Sequence, residues 1–341
     1  MRRLYLIVYS VFWLLFWLPF QGGAFASSVR EGCPKIALVL GGGGAKGAAE
    51  VGVLKYLKEL DVPIDMVVGT SIGSIVGGLY CSGVDVATMD HLFRSQEWLD
   101  LFTDRAKELR TELYTERDGV EYVLGFPIGR KNKPSQSDSP LFGLLKGDSI
   151  TNLLGRISGY TESMSFDDLP VPFRCVAVDI KTMQEVVFNQ GRLPLAMRAS
   201  MAIPAVFKPL RMGDRLMVDG GVLNNLPVDV ARRMGADIVI AVDLNQDEEL
   251  KQESEENWFS QVLGSLDLGG HLNWLVRRPD NEKYRRNLEK ADLVITPDIH
   301  EFDVASFNAD AVATMIDRGE AAAKKERLKL VLLAMKARGK T

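Results

Sequence analysis

Histidine and cysteine are both scarce in this sequence, with three of each in 341 residues. His91, His271 and His300 are widely separated, as are Cys33, Cys81 and Cys175, and no CxxC or Cys/His pair has the spacing of a zinc site. An odd cysteine count permits at most one disulfide, and small buried hydrophobes is the reading adopted for all three. No cofactor or metal is expected, so the chemistry should survive a chelator. An excess of positive charge is missing too: 41 Lys and Arg face 45 Asp and Glu, for a net charge of −4. That balance argues against nucleic acid as a main partner, because phosphate binding needs a cationic face. Internal repeats are absent, and a composition of 46% hydrophobic and 25% charged residues excludes a disordered or collagen-like chain. The length suits one large α/β domain, or a domain with a small appendage.

What is present begins with Met1-Arg2-Arg3, an apolar run from Leu4 to Phe20, and small residues at Ala24 and Ala26. A positive start, an apolar centre and a small-residue site are the parts of a secretory signal peptide. Residues 1–26 are therefore expected to be a signal and 27–35 a linker, giving an exported protein, periplasmic or secreted. The alternative is an uncleaved segment that anchors the chain in the inner membrane. Loss of Arg2 and Arg3 would leave 39 basic against 45 acidic residues.

Beyond the linker, apolar β-rich runs alternate with helical stretches. Candidate strands are Lys35–Leu40, Ile64–Val68, Val171–Val178, Glu185–Phe188, Leu216–Val218, Asp237–Val242 and Asp292–Ile295, several of them unbroken Val/Ile/Leu runs of the kind buried on both faces. Ala45–Leu60 carries apolar residues at helical spacing between the first two strands, which makes a βαβ unit and a parallel sheet covered by helices. Gly129–Pro140 reads as a polar loop and the tail from Ala309 to about Lys336 as helix.

Three motifs carry chemistry. Gly41-Gly42-Gly43-Gly44-Ala45-Lys46-Gly47 lies between the first strand and the first helix, where backbone N–H groups and the helix dipole favour an anion, either a phosphate or the oxyanion of a tetrahedral intermediate. Gly69-Thr70-Ser71-Ile72-Gly73 follows a strand and precedes an apolar helix, the context of a nucleophile elbow. Asp219-Gly220-Gly221 closes the strand Leu216–Val218; taken alone, an acid beside two glycines is more often a turn. A serine nucleophile needs a base, and with so few histidines an aspartate within hydrogen-bond reach can serve.

Rival readings separate on particular residues. Gly42-x-Gly44-x-x-Gly47 fits a dinucleotide fingerprint, but the second strand ends in Gly69-Thr70-Ser71 instead of the acid that would bind a ribose. A P-loop fails because Lys46 follows alanine and precedes glycine. A hydrolase with a full triad ending in His300 remains open, as does a non-catalytic lipid-binding protein.

In order and context, these three motifs resemble those of the patatin-like phospholipase family. Leu40–Ala49 looks like that family's opening block, Ala199–Phe207 like the segment before its aspartate, and Asp219–Pro227 is similar as well. The likeness covers about Ile36 to Val242, and more weakly Ser306–Ala323. It implies a three-layer α/β/α sandwich with a mainly parallel central sheet over 36–242, followed by a mostly helical extension, 243–341, packed on or next to that domain. It further implies a serine lipid acyl hydrolase of phospholipase A, lysophospholipase or carboxylesterase type. Ser71 would be the nucleophile and Asp219 the proton acceptor, with Gly42, Gly43 and Gly44 as the oxyanion loop. Lys46, Gly47, Gly69, Gly73, Gly220 and Gly221 would support them. Lys46 stands where the family more often has arginine, which keeps the charge but loses bidentate geometry. Glu50 stands where many bacterial members have histidine, and it is given no catalytic role. The implied partner is a phospholipid or other lipid ester met by transient membrane-surface contact. Trp98–Phe102, Leu141–Leu145 and Trp258–Leu263 are candidates for apolar contact at a site mouth, with ordinary core as the equal alternative.

Overall fold

The protein is described by a computed structural model that covers residues 32–96, 98–102, 114–117, 120–123, 126–130, 145–204, 206–245 and 281–339. The expected signal segment 1–26, residues 131–140 of the polar loop, residues 141–144, Trp258–Leu263 and His271 lie outside the described residues.

Chain order runs β1 (Ile36–Leu40), a 3-10 turn (Gly44–Gly47), α1 (Ala48–Glu59), β2 (Met66–Thr70), α2 (Ile72–Cys81), α3 (Val86–Ser95) and α4 (Trp98–Phe102). Three short strands follow, β3 (Tyr114–Arg117), β4 (Val120–Val123) and β5 (Phe126–Arg130). Then come α5 (Asp148–Ser158), β6 (Ser163–Ser165), β7 (Phe173–Asp179), β8 (Gln184–Phe188), β9 (Gln190–Arg192), α6 (Leu193–Ser200), β10 (Leu210–Met212) and β11 (Arg215–Asp219). The last are α7 (Val228–Arg233), β12 (Ile238–Val242), α8 (Asn281–Lys290), β13 (Leu293–Ile295), α9 (Ala309–Lys325) and α10 (Arg327–Ala337).

A mainly parallel sheet forms the middle layer. Strands β13, β12, β1, β2 and β7 run parallel side by side, while β8 and β11 pair antiparallel with β7, and β10 pairs antiparallel with β11. Alternation along β1 sorts side chains to two faces. Ile36, Leu38 and Leu40 pack with α1, α2 and α9; Ala37 and Val39 pack with Val228, Val230 and Ala231 of α7 and Tyr284 of α8. Helices on both faces make the three-layer α/β/α sandwich, and every residue of β1, β2 and β12 is buried.

Several sequence boundaries move. β2 continues through Gly69 and Thr70, because both still pair with β7, opposite Cys175 and Val176. Gly129 and Arg130, assigned to a loop by composition, close β5 opposite Glu121 and Val120 of β4, a pairing that composition cannot register. Trp98, Leu101 and Phe102 belong to the core rather than to a site mouth: Trp98 stacks between Phe93 and Phe102, and its indole N–H donates to the Phe93 carbonyl. Of Leu141–Leu145, the described Leu145 packs half-buried against the same core.

The segment from 243 onward shares the central sheet. β13 pairs with β12, Ile240 opposite Leu293 and Val242 opposite Ile295, and so covers a strand edge that would otherwise leave its backbone groups unpaired. Helix α9 lies along α1, its Asn308 cap accepting from the Ala311 amide. Among the described residues no helix is long and apolar enough to cross a membrane.

Candidate active site

The site is built where two strands meet end to end. β8 lies along residues 175–179 of β7. β2 pairs with residues 173–176 of β7 and β11 with 177–179, and both overlap the span of β8, so both must occupy the opposite edge, one after the other. β2 runs parallel to β7 and β11 antiparallel. Their C-terminal ends therefore point at each other, Thr70 level with Val176 and Asp219 level with Ala177. Residues just past these ends are held together by sheet register.

Ser71 sits at that junction with φ 55° and ψ −123°, a strained conformation for a residue with a side chain and the signature of a sharp strand-to-helix elbow. It immediately precedes α2. Its hydroxyl donates to Oδ2 of Asp219 at 2.7 Å, across 148 positions of sequence. Its amide donates to the Ser200 hydroxyl at 2.9 Å, which in turn donates to the Val176 carbonyl. Its carbonyl accepts from the Ser74 hydroxyl. Gly69 and Gly73 flank the serine in mutual contact, so that a Cβ on Gly69 would overlap the Gly73 carbonyl. The amide, hydroxyl and carbonyl of Ser71 are all engaged, which is how the surroundings can maintain the strain.

Asp219 is the last residue of β11 and is almost wholly buried. Its other oxygen, Oδ1, accepts from the Gly221 amide at 2.7 Å within the Gly220–Val222 turn. Burial in a poorly solvating environment pushes its carboxyl up to about 7, while the hydrogen bonds from Ser71 and Gly221 pull the other way. A carboxylate balanced near neutrality is suited to taking and returning a proton.

The glycine loop lies against this pair. A Cβ on Gly42 would approach the Ser71 Cβ at 3.1 Å, and one on Gly47 would overlap Ile72. Gly44 has φ +57°, a left-handed conformation open to glycine at little cost. Lys46 is half-buried in the 3-10 turn, its amide donating to the Gly43 carbonyl. One expectation needs correction. The Gly42 amide already donates to the Asn225 carbonyl at 3.1 Å, so Gly42 has no N–H to offer an oxyanion. The amides of Gly43 and Gly44 have no acceptor among the described residues. Gly42 contributes close approach instead.

Further residues act here that the sequence did not single out. Ser200 and Asn225 lie inside segments already noticed, but nothing in the letters indicated their contacts. Thr70 donates through its hydroxyl to the Asn224 carbonyl. Glu50, in the first turn of α1, is fully buried, neither of its carboxyl oxygens has a hydrogen-bond partner among the described residues, and burial raises its pKa well above the usual range. His300 stays outside the site: its imidazole is solvent-exposed and its Nδ1 pairs with Asp298 at 2.8 Å. His91 is exposed on α3. The triad alternative thus has no histidine beside Ser71 among the described residues. No group of three His, Cys, Asp or Glu that could hold a metal comes together among them either.

Fold and site together define the class, a three-layer α/β/α sandwich with a serine–carboxylate pair at a strand-to-helix elbow. The chain belongs to the patatin-like phospholipase family, whose model matches residues 38–232. Similar proteins include the patatin-like phospholipase domain-containing protein 6 of Mus musculus, 35% identical over 216 residues, which are 63% of this chain and 14% of that protein. An uncharacterized NTE family protein of Mycobacterium bovis is 35% identical over 215 residues, 63% of this chain and 50% of the relative. The chain therefore corresponds to half or less of the length of these two relatives. Among solved structures, VipD from Legionella pneumophila matches with a TM-score of 0.49 at 17% identity, covering 87% of this chain and 66% of that one.

Proposed function

We propose that this protein is a serine lipid acyl hydrolase in which Ser71 attacks an ester carbonyl and Asp219 is the proton acceptor. The observation that carries the reading is the 2.7 Å hydrogen bond from the Ser71 hydroxyl to a buried Asp219 carboxylate. In the first step Asp219 takes the hydroxyl proton as Oγ bonds to the carbonyl carbon. The amides of Gly43 and Gly44, with the N-terminus of α2, receive the developing oxyanion; such donors contribute roughly 3–4 kcal/mol each in comparable enzymes. As the intermediate collapses, the leaving alcohol takes the proton from Asp219 and an acyl-serine remains. Water then attacks that ester while Asp219 takes its proton, the same oxyanion site serves again, and collapse breaks the bond from Oγ to the acyl carbon, releasing the fatty acid as the Asp219 proton returns to Oγ.

Family membership supports a lipid ester as substrate. The exposed position of His300 and its pairing with Asp298 favour the two-residue arrangement over a triad. Turnover of a medium-chain chromogenic ester tests the proposal. Ser71→Ala should lower kcat by about three to six orders of magnitude while leaving the melting temperature near that of wild type. A folded Ser71→Ala protein that retains turnover would exclude Ser71 as the nucleophile, and a folded wild type without turnover would favour a binding role.

A further inference from the structure

Two buried carboxamides converge on one backbone oxygen behind the glycine loop. Nδ2 of Asn225 donates to the Gly42 carbonyl at 3.1 Å, and Nδ2 of Asn245 donates to the same oxygen at 2.8 Å. Asn225 also holds the other polar group of Gly42, because its own main-chain carbonyl accepts the Gly42 N–H at 3.1 Å. Both side chains are almost wholly buried, and the Oδ1 atom of each has no hydrogen-bond partner among the described residues. Leaving two buried amide oxygens unsatisfied is costly. Using both lone pairs of one carbonyl for side-chain donors is therefore an arrangement with a consequence beyond filling space.

That consequence follows from peptide geometry. The Gly42–Gly43 peptide is trans, as are all peptides of the described chain, so the Gly43 N–H points opposite to the Gly42 carbonyl. Fixing the carbonyl toward the asparagines fixes the Gly43 N–H away from them, and that amide is one of the two in the loop with no acceptor among the described residues. Two donors on the carbonyl also draw electron density through the peptide and make its N–H a stronger donor. The space is closed on the other side: a Cβ at Gly42 would collide with Asn225 Oδ1, and one at Gly221, beside Asp219, would sit 2.7 Å from the same oxygen.

We infer that Asn225 and Asn245 are positioning residues that clamp the Gly42 carbonyl so that the Gly43 N–H is oriented and polarised toward the oxyanion formed at Ser71. This deepens the proposed hydrolase reading and rests on it. Asn245 is notable because it lies beyond the residues matched by the family model, so a position outside that segment reaches back to its first glycine loop.

The clamp acts on a charge that exists only in the transition state, so its loss should lower kcat and leave KM in place. Asn245→Asp replaces one donor with an acceptor facing the Gly42 oxygen, and Asn245→Ser shortens the side chain beyond reach. With the full chain and a soluble chromogenic ester, both variants should lose about 10- to 100-fold in kcat, with KM changed less than about threefold. Phosphonylation of Ser71 by a fluorophosphonate, which builds the same negative oxygen, should slow in parallel. Equal fold-losses in kcat and in phosphonylation rate support the clamp, whereas kcat within about threefold of wild type in folded variants overturns it. Should neither variant fold, glycine-labelled wild type supplies the test: phosphonylation of Ser71 should move the Gly43 amide proton downfield, and an unmoved Gly43 resonance overturns the clamp. Ser71→Ala runs alongside. If it keeps activity, the reading of Ser71 as nucleophile itself fails; if it is dead while the asparagine variants are normal, only the clamp fails.

Discussion

Glycine is used in two different ways on the two sides of α1. At its N-terminal end, Gly43 and Gly44 leave backbone amides without an acceptor among the described residues, and Gly42 lets the loop press against Ser71. Along its body, Gly52 and the facing Gly319 of α9 let two helices touch backbone to backbone: a Cβ on Gly52 would overlap the Ile316 carbonyl, and one on Gly319 the Ala49 carbonyl. The first region is rich in buried polar groups, among them Ser71, Asp219, Asn225 and Asn245, and the second is almost entirely apolar. A missing side chain therefore serves chemistry in one place and packing in the other. The two should fail differently, one losing rate and the other losing stability.

The largest effect after Ser71→Ala should come from Asp219→Asn, which removes the proposed base while keeping its shape and should lower kcat by about three to four orders of magnitude in an ester assay. The same variant sharpens the stability side of the contrast. Because burial raises the Asp219 carboxyl from 3.8 to about 7, the folded state holds a proton that the unfolded chain releases across that window. The contribution of this group to wild-type stability therefore falls as pH rises from about 4 to 7. Melting curves should show Asp219→Asn gaining on wild type over that range and holding a constant lead above it. A lead that shrinks with pH would contradict the assignment.

Next in size, Gly319→Ala should lower stability by on the order of 2–3 kcal/mol, since two helices must separate to admit a methyl group. Denaturant unfolding measures this, and active-site titration should show the remaining folded protein turning over at the wild-type rate. A Gly319→Ala protein of normal stability but impaired kcat would break the comparison.

A subtler effect lies in the pH profile of wild type. The base must be ionised to accept a proton, so kcat/KM should climb as pH rises through about 7 and level off above it. A limb centred near 4 would mean that Asp219 is solvated in the working enzyme. The smallest expected change is in His300→Ala, which removes an exposed side chain paired with exposed Asp298; stability should stay within about 0.5 kcal/mol. Activity should be unchanged in the same ester assay.

Much of this arrangement was legible in the letters. Unbroken apolar runs located the parallel strands, and the strand–glycine–helix order around Gly41–Gly47 and Gly69–Gly73 marked both loops, because these signals reside in a few consecutive residues. The scarcity of histidine directed attention to Asp219. Less visible were the features that depend on partners. The use of the Gly42 amide by Asn225, the support of Ser71 by Ser200 and the buried isolation of Glu50 involve residues with no local pattern to set them apart. Trp98 and Phe102 were ambiguous for a related reason, since an apolar cluster reads the same whether it faces core or solvent.

Sequence alone determined that a serine would stand on a sharp turn after a buried strand, that a glycine-rich loop would follow another strand, and that an aspartate would end a third. Only the tertiary structure decided that they meet. Their encounter depends on β2 and β11 running toward each other along one edge of β7, a matter of strand direction and register set by long-range hydrogen bonds. The burial that moves the Asp219 carboxyl toward neutrality is likewise supplied by neighbours distant in sequence, which exclude water from around it.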